Sequence, residues 1–361
     1  MSKSPRISSS VYMQWAKKHV QVKHNLASSG IMNYPLSALP VRIEDLEITG
    51  ESFYGYAPLQ KALAHHCGVA PEQVFSALGT SFANHITMAA SIVPGDEVLI
   101  EEPTYELLIS TARYLGAKVK RFRRRAENDF QIIPKEIEKV ISKKTKLIVL
   151  TNLHNPSSAL TDEKTLKQIG QIARSVNARV LVDEVYLDAA FAQAPRSAIH
   201  LGKEFIVTSS LTKVYGLSGL RCGWVLAEPK LVKKMWLLND LFASIPPHPS
   251  ELISVIALRQ LDEIRTWSHA IFSENLTTLK KLFLPRKDIQ CFAPGYGTIV
   301  FPKLLTGKVD TLASILTREY DTSIAPGKYF EMPKHFRVGF GSKPEIFHAG
   351  LQNLCRALDA L

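Results

Sequence analysis

Between residues 74 and 226 the chain alternates short apolar runs with longer amphipathic stretches. The runs at 74–78, 97–100, 146–150, 178–183 and 205–207 are rich in Val, Ile and Leu, and 118–122 is a further strand candidate. Continuous apolar runs of this length predict strands buried on both faces. Between them, residues 83–93, 134–141 and 161–176 repeat apolar side chains at helical spacing. Pro134 opens one of these helices, and Thr161 is the expected N-cap of another, with Asp162 and Glu163 in its first turn. Strands alternating with helices predict an α/β fold, with a mostly parallel sheet flanked by helices. Five of the apolar runs are followed by a polar or ionisable side chain: Ser81, Tyr105, Asn155, Asp183 and Lys213. In open α/β sheets ligands bind at the carboxyl ends of the strands, so these five residues mark a candidate site.

The flanking segments read differently. Residues 1–44 contain Ser28-Ser29-Gly30, Pro35 and Pro40, and predict an extended arm with one short helix around 11–20. Residues 58–67 suit an amphipathic helix opened by Pro58. A helix is expected through 236–242, after which Pro246, Pro247 and Pro249 read as a linker. A helical stretch over 252–284 and short strands at 298–301 and 335–341 then suggest a smaller α+β domain. The resulting division is 1–44 as arm and part of the small domain, 45–245 as the large domain, and 246–361 as the small domain.

Composition adds exclusions. The chain has 361 residues, 46% of them hydrophobic and 21% charged, as in an ordinary globular protein. Its four cysteines (67, 222, 291 and 355) form no closely spaced pair, which argues against zinc and against a disulfide framework. No apolar run reaches bilayer length, and the first fifteen residues lack the apolar core of a signal peptide. The expectation is a soluble cytoplasmic protein with no metal, no membrane and no nucleic-acid partner. Net charge is +11, with the densest cluster at Arg121-Phe-Arg-Arg-Arg125. This cluster reads as a solvated edge or an anion-attracting surface, and the positive balance suits phosphates and carboxylates.

The chemistry centres on residues 208–224, TSSLTKVYGLSGLRCGW. Lys213 lies three residues after Ser210, Arg221 eight residues after Lys213, and Gly216, Ser218 and Gly219 intervene. A lysine beside a buried strand is partly desolvated, which favours the neutral, nucleophilic amine that attacks carbonyls. The Ser210 hydroxyl and the Arg221 guanidinium suit a phosphate. Gly79-Thr80-Ser81, at a helix start, offer a second set of anion donors. Asp183 ends an apolar strand, where a carboxylate needs a cationic partner.

These segments together resemble the fold type I, class I/II pyridoxal-phosphate enzymes of the aspartate-aminotransferase superfamily. The resemblance spans about residues 25–345. It rests on Ser-x-x-Lys with an arginine eight residues on, on Pro94-Gly95-Asp96 followed by Pro103-Thr104-Tyr105, on Asn155-Pro156, and on Asp183-Glu184-x-Tyr186. It implies a large domain with a mostly parallel seven-stranded sheet, pyridoxal 5′-phosphate as cofactor, and a homodimer. It also implies residue roles. Lys213 would form the Schiff base, and Asp183 would keep the ring nitrogen protonated. Asn155 and Tyr186 would hold the phenolic oxygen, and Tyr105 would lie on the ring. Gly79, Thr80, Ser81, Ser210 and Arg221 would hold the phosphate, joined by Tyr54 from a neighbouring subunit. Arg337, with Asn155 and Gly30, would bind the substrate carboxylate. Two positions depart from the family pattern: Gly55 follows Tyr54 more closely than is usual, and Ser157-Ser158 replace Thr-Gly after Asn155-Pro156.

The expected activity is transfer of an amino group between an α-amino acid and a 2-keto acid. A lyase, decarboxylase or cyclase on the same fold shares every one of these residues. A non-catalytic pyridoxal-phosphate sensor is the third reading, but the chain before Gly30 is too short for a helix-turn-helix module.

Overall fold

The computed structural model describes residues 9–19 and 21–361. Seven strands form the central sheet: β1 (Val74–Leu78), β2 (Glu97–Glu102), β3 (Lys118–Arg123), β4 (Thr145–Thr151), β5 (Arg179–Asp183), β6 (Phe205–Ser210) and β7 (Cys222–Leu226). Their order across the sheet is β1-β7-β6-β5-β4-β2-β3. All neighbours pair in parallel except β7, which runs antiparallel to both β1 and β6. Side chains alternate between two apolar layers, as a pleated sheet covered on both faces requires. Val180 and Val182 pack into one layer with Ile148 and Val207, while Leu181 packs into the other with Val149 and Ile206.

The helices are α1 (Val11–Lys18), α2 (Ala57–Cys67), α3 (Thr80–Ser91), α4 (Glu106–Tyr114), α5 (Pro134–Glu138), α6 (Glu163–Ser175), α7 (Pro229–Asn239), α8 (His248–Arg259), α9 (Leu261–Leu282), α10 (Val309–Tyr320) and α11 (Pro344–Asp359). The C-terminal unit carries a three-stranded antiparallel sheet with Phe336–Gly339 in the middle, between Ile299–Val300 and Ala325–Pro326. The arm is tied to this unit. His24–Asn25 pair in parallel with Thr322–Ser323, and Leu26 is fully buried in its core.

Several boundaries differ from the sequence reading. The α6 N-cap is Asp162, whose carboxylate accepts from Thr165 N at 2.7 Å, and not Thr161. Thr161 is buried, with its backbone N–H bound to Asn152 Oδ1. β6 runs on through Thr208, Ser209 and Ser210, because β5 and β7 supply ladder partners for these polar residues. Helix α3 begins at Thr80, three residues earlier than the apolar periodicity indicates, and α5 ends at Glu138. The 252–284 stretch is two helices broken at Gln260. Val255, Ala257, Leu261 and Ile264 join the core of the large sheet, while Trp267, Ile271 and Phe272 pack with the C-terminal unit, so apolar packing changes partner within α9. The end of the expected arm helix, Val20, lies outside the described residues. Among the described residues no helix is long and apolar enough to cross a membrane, and no group of three or more His, Cys, Asp or Glu could hold a metal ion.

The arginine cluster is the largest correction. Arg124 is fully buried and pairs with the equally buried Glu101 at 2.7 Å. Arg121 reaches Glu331 and the Glu101 carbonyl. Strand alternation separates the run, sending Arg123 to solvent while its neighbours turn inward. Glu101 Oε1 accepts from both the backbone N–H and the hydroxyl of Thr151, and Arg124 Nε donates to Phe130 O. Burial pushes the Glu101 carboxyl up and the Arg124 guanidinium down, while each partner opposes the shift of the other. Removing one member of such a pair leaves an uncompensated buried charge. Arg124→Met is therefore expected to lower stability in urea by about 3–5 kcal/mol at pH 7. A carboxyl with a raised folded-state pKa penalises folding above that pKa, so the loss should shrink as pH falls and Glu101 protonates. An Arg124→Met loss independent of pH would contradict this account.

Candidate active site

The register of the sheet sets the site. Thr151 pairs with Asp183, and Asp183 with Thr208, so the ends of β4, β5 and β6 are level. A cavity of about 330 Å³ opens beyond them. Ser81, Tyr105, Asn155, Asp183 and Lys213, the five residues marked from the apolar runs, all line it.

One end of the cavity is built for an anion. Gly79 caps α3 at φ 79°, and Thr80 and Ser81 follow in the first turn. Thr80 donates its hydroxyl to Ser210 Oγ at 2.8 Å. Arg221 adopts the left-handed conformation at φ 50° and lays its guanidinium over the Gly79 backbone, with Nη2 donating to Leu78 O at 3.2 Å. A Cβ at Gly79 would stand 2.3 Å from Arg221 Nη2, so this close approach requires glycine. Hydroxyls, a guanidinium and a helix N-terminus converge here, a donor set that fits a phosphate.

The middle of the cavity carries Asp183, almost fully buried. Its Oδ2 accepts from Asn84 Nδ2 at 2.7 Å and its Oδ1 from Val185 N at 3.1 Å. Asn84 is itself oriented by Thr208, whose hydroxyl donates to Asn84 Oδ1 at 2.6 Å. Burial pushes the Asp183 carboxyl up to about 6, against the pull of these hydrogen bonds. Such a carboxylate is completed by a cation, which fits a protonated ring nitrogen. Asn84 escaped the sequence reading because it looks like an ordinary residue inside its helix, and Thr208 because it reads as the first of the small polar residues after the 205–207 run.

Lys213 follows β6 in an irregular loop. Burial pushes its ammonium below the ordinary range; Arg337 and Arg221 add to this, while Tyr12 and Asp183 oppose it. Gly30 packs against the Lys213 backbone, where a Cβ would meet Lys213 O at 3.2 Å, and the next residue, Ile31, donates to that same carbonyl at 2.9 Å. Ser28 and Ser29 line the cavity beside it. Tyr186 donates to Ser29 Oγ at 2.8 Å. Tyr105 donates its hydroxyl to Met13 Sδ at 3.5 Å and meets Tyr12 edge-on.

Arg337 sits behind the cavity wall. Its Nη1 donates to Asn155 Oδ1 at 3.0 Å, and its Nη2 to Tyr12 OH and Ala27 O, both at 2.9 Å. Asn155 is held in turn by its backbone N–H on Thr151 Oγ1 at 3.0 Å, which ties the site to the Glu101–Arg124 pair. Ser158, where the family pattern has glycine, takes φ 63°, and its hydroxyl donates to Ile299 O at 2.8 Å. Tyr54 does not reach this cavity within the chain. It is half exposed, in an apolar groove with Trp236 and Leu237.

Comparison with known proteins accounts for this arrangement. The sequence profile of aminotransferase class I and II matches residues 48–358. The chain belongs to that family. Class I and II aminotransferases use pyridoxal 5′-phosphate, and the anion cluster, the buried Asp183 and the desolvated Lys213 fit its phosphate, ring nitrogen and aldehyde. Capreomycidine synthase of Streptomyces vinaceus is 27% identical over 346 residues, covering 91% of this chain and 88% of that protein. Aspartate aminotransferase of Sulfolobus acidocaldarius is 25% identical, covering 86% of this chain and 82% of that one. A crystal structure of a PLP-dependent aminotransferase from Streptococcus suis superposes with TM-score 0.92 at 26% identity, covering 97% of both chains. The PLP-dependent cyclase OrfR shares the fold, with TM-score 0.90 at 23% identity over 99% of both chains.

The buried carboxylate yields a prediction for the cofactor-free protein. Displacement of the Asp183 pKa from 3.8 to about 6 corresponds to a folding penalty on the order of 3 kcal/mol once the group is ionised. A raised folded-state pKa makes that penalty absent below about pH 4 and complete above about pH 6. Asp183→Asn should therefore raise the melting temperature of the cofactor-free protein at pH 8, with the gain fading toward pH 4. The same variant should bind pyridoxal phosphate at least tenfold more weakly in a spectroscopic titration. Unchanged cofactor affinity would show that Asp183 does not face the ring nitrogen.

Proposed function

We propose that the protein is an aminotransferase that moves the amino group of an α-amino acid to a 2-keto acid through Lys213, working as a homodimer. The observation that carries this reading is the gathering of a desolvated lysine, a buried carboxylate and a phosphate-type donor set around one cavity. When bound, pyridoxal phosphate supplies an aldehyde that takes up the amino group and a ring that withdraws electrons from the substrate α-carbon. The chain's own residues supply the rest. Thr80, Ser81, Ser210 and Arg221 hold the phosphate, with Gly79 giving room for the guanidinium. Asp183 holds the ring-nitrogen proton, kept in place by Asn84. Asn155 and Tyr186 donate to the phenolic oxygen, and Tyr105 covers the ring. Lys213 Nζ, neutral more readily than an exposed amine, carries the proton from the α-carbon.

Arg337 binds the α-carboxylate in this reading. Its Nη1 and Nη2 donate to Asn155 Oδ1, the Tyr12 hydroxyl and Ala27 O, while its buried Nε has no partner and is left to donate. Gly30 keeps the arm close against the Lys213 backbone. Tyr54, exposed on the apolar groove, suits a residue that reaches the phosphate site of a second subunit. A lyase or cyclase is the second reading, favoured by the match with capreomycidine synthase, a relative not named as an aminotransferase.

Visible spectroscopy separates the two. Addition of a reactive amino acid should bleach the cofactor's yellow band, and a 2-keto acid should restore it. Lys213→Ala should lower turnover by at least ~10³-fold while retaining pyridoxal phosphate in the folded protein. A band that shifts with an amino acid but never yields to a keto acid-reversible form would favour the lyase or cyclase reading. Full turnover in Lys213→Ala would sink both.

A further inference from the structure

One buried imidazole beside the site has both ring nitrogens engaged across two loops. His154 precedes Asn155, is fully buried, and is not among the residues lining the cavity. Its Nε2 lies 3.0 Å from Pro103 O and its Nδ1 2.7 Å from Ser157 Oγ. A carbonyl oxygen only accepts, so Nε2 carries the ring proton and donates it to Pro103. Nδ1 is then an acceptor, and the Ser157 hydroxyl donates to it. Ser157 Oγ in turn accepts from Ala159 N at 3.2 Å. The partners thus fix one tautomer and one orientation of the ring.

These bonds join separate parts of the site. Pro103 follows β2 and comes two residues before Tyr105, whereas Ser157 belongs to the loop after β4, two residues beyond Asn155. Tyr105 and Asn155 both line the cavity. The loop after β4 is closed on itself, with His154 N donating to Ala159 O at 2.9 Å and Ser158 N to His154 O at 2.7 Å. The imidazole therefore extends a rigid turn toward the Pro103 carbonyl.

We infer that His154 is a positioning residue: its ring clasps the Tyr105 loop to the Asn155 loop and so sets where both residues meet the cofactor. The inference rests on the roles proposed above for Tyr105 and Asn155. Space alone does not call for an imidazole here, since Phe130, with its ring centroid 5.8 Å from that of His154, shows that the surroundings accept a hydrocarbon ring. The bonds themselves are protected, because a fully buried ring meets no competing water. Burial holds the imidazolium well below its ordinary range; Arg124 adds to this, and the Pro103 carbonyl opposes it. The ring stays neutral, which keeps Nδ1 free to accept from Ser157. Ser157 stands where the family pattern has threonine, and it keeps the hydroxyl that this bond needs.

The test compares the unmodified protein with His154→Gln and His154→Asn, all loaded with pyridoxal phosphate. The glutamine amide nitrogen takes the place of Nε2 and can donate to Pro103 O. The shorter asparagine amide reaches the place of Nδ1 and can meet Ser157 alone. The first readout is the pH titration of the visible band, whose midpoint responds to hydrogen bonds made to the cofactor. His154→Asn should move that midpoint by about 0.5 unit or more and lower turnover about tenfold or more. His154→Gln should recover most of both losses. A histidine that only fills space would lower the melting temperatures of the two variants alike and leave the midpoint where it was, and that result overturns the inference. Should His154→Asn fail to fold, His154→Gln decides: a folded glutamine variant with the midpoint displaced by about 0.5 unit or more also overturns it. The second readout is nitrogen NMR on protein labelled at histidine. The signal missing from His154→Gln should show a protonated Nε2 and a bare Nδ1 from about pH 5 to about pH 9. A protonated Nδ1, or a ring that takes up a second proton in that range, contradicts the clasp. No visible band in the loaded, unmodified protein would remove the cofactor reading and this inference with it, whereas a normal band indifferent to His154→Asn would remove this inference alone.

Discussion

The arrangement depends on a carboxylate placed where a carboxylate is expensive. Asp183 closes a strand in which Val180, Leu181 and Val182 precede it, in the interior of a sheet covered on both faces. Two hydrogen bonds, from Asn84 and from the backbone at Val185, do not offset its desolvation, and its carboxyl is pushed up to about 6. In the proposed reading a cationic ring nitrogen would remove that penalty. The helix that supplies Asn84 also presents Gly79, Thr80 and Ser81 at its start, and β6 ends with Ser210 beside them. One sheet register thereby fixes the distance between this cluster of donors and the carboxylate.

A second layer of buried charge supports the first. Glu101 and Arg124 neutralise each other beneath the end of β4, and Glu101 orients Thr151. Thr151 in turn holds the backbone of Asn155, and Asn155 holds Arg337. A basic run that resembles surface charge in sequence thus helps to position Asn155 and Arg337 beside the cavity. The same run explains why net charge is a poor guide to partners here: two of its arginines spend their charge on Glu101 and Glu331.

Much of the site was legible in the sequence because its residues are local to strand ends. Asp183, Asn155 and Lys213 each follow an uninterrupted apolar run, and parallel strands bring such ends to one edge. The parts that escaped are the long-range pairings. Asn84 and Asp183 are 99 residues apart, and Tyr12 lies 325 residues before Arg337. Tyr12 reads as one more aromatic on a short helix until the arm folds back over the cavity. The proline cluster at 246–249 gave a linker signal, yet the following helix packs on α2, because Val255 and Ala257 find the large core before the chain leaves it. Ser158 shows a departure from the family pattern absorbed by a single hydrogen bond, from its hydroxyl to Ile299 O.

The central claim is that Lys213 is the residue that carries the cofactor. Borohydride reduction of the pyridoxal-phosphate-loaded protein, followed by proteolysis and mass spectrometry, tests it directly. The account predicts one phosphopyridoxyl group per chain, on the peptide containing Lys213. A label on any other lysine, or none in protein that has bound the cofactor, would contradict it.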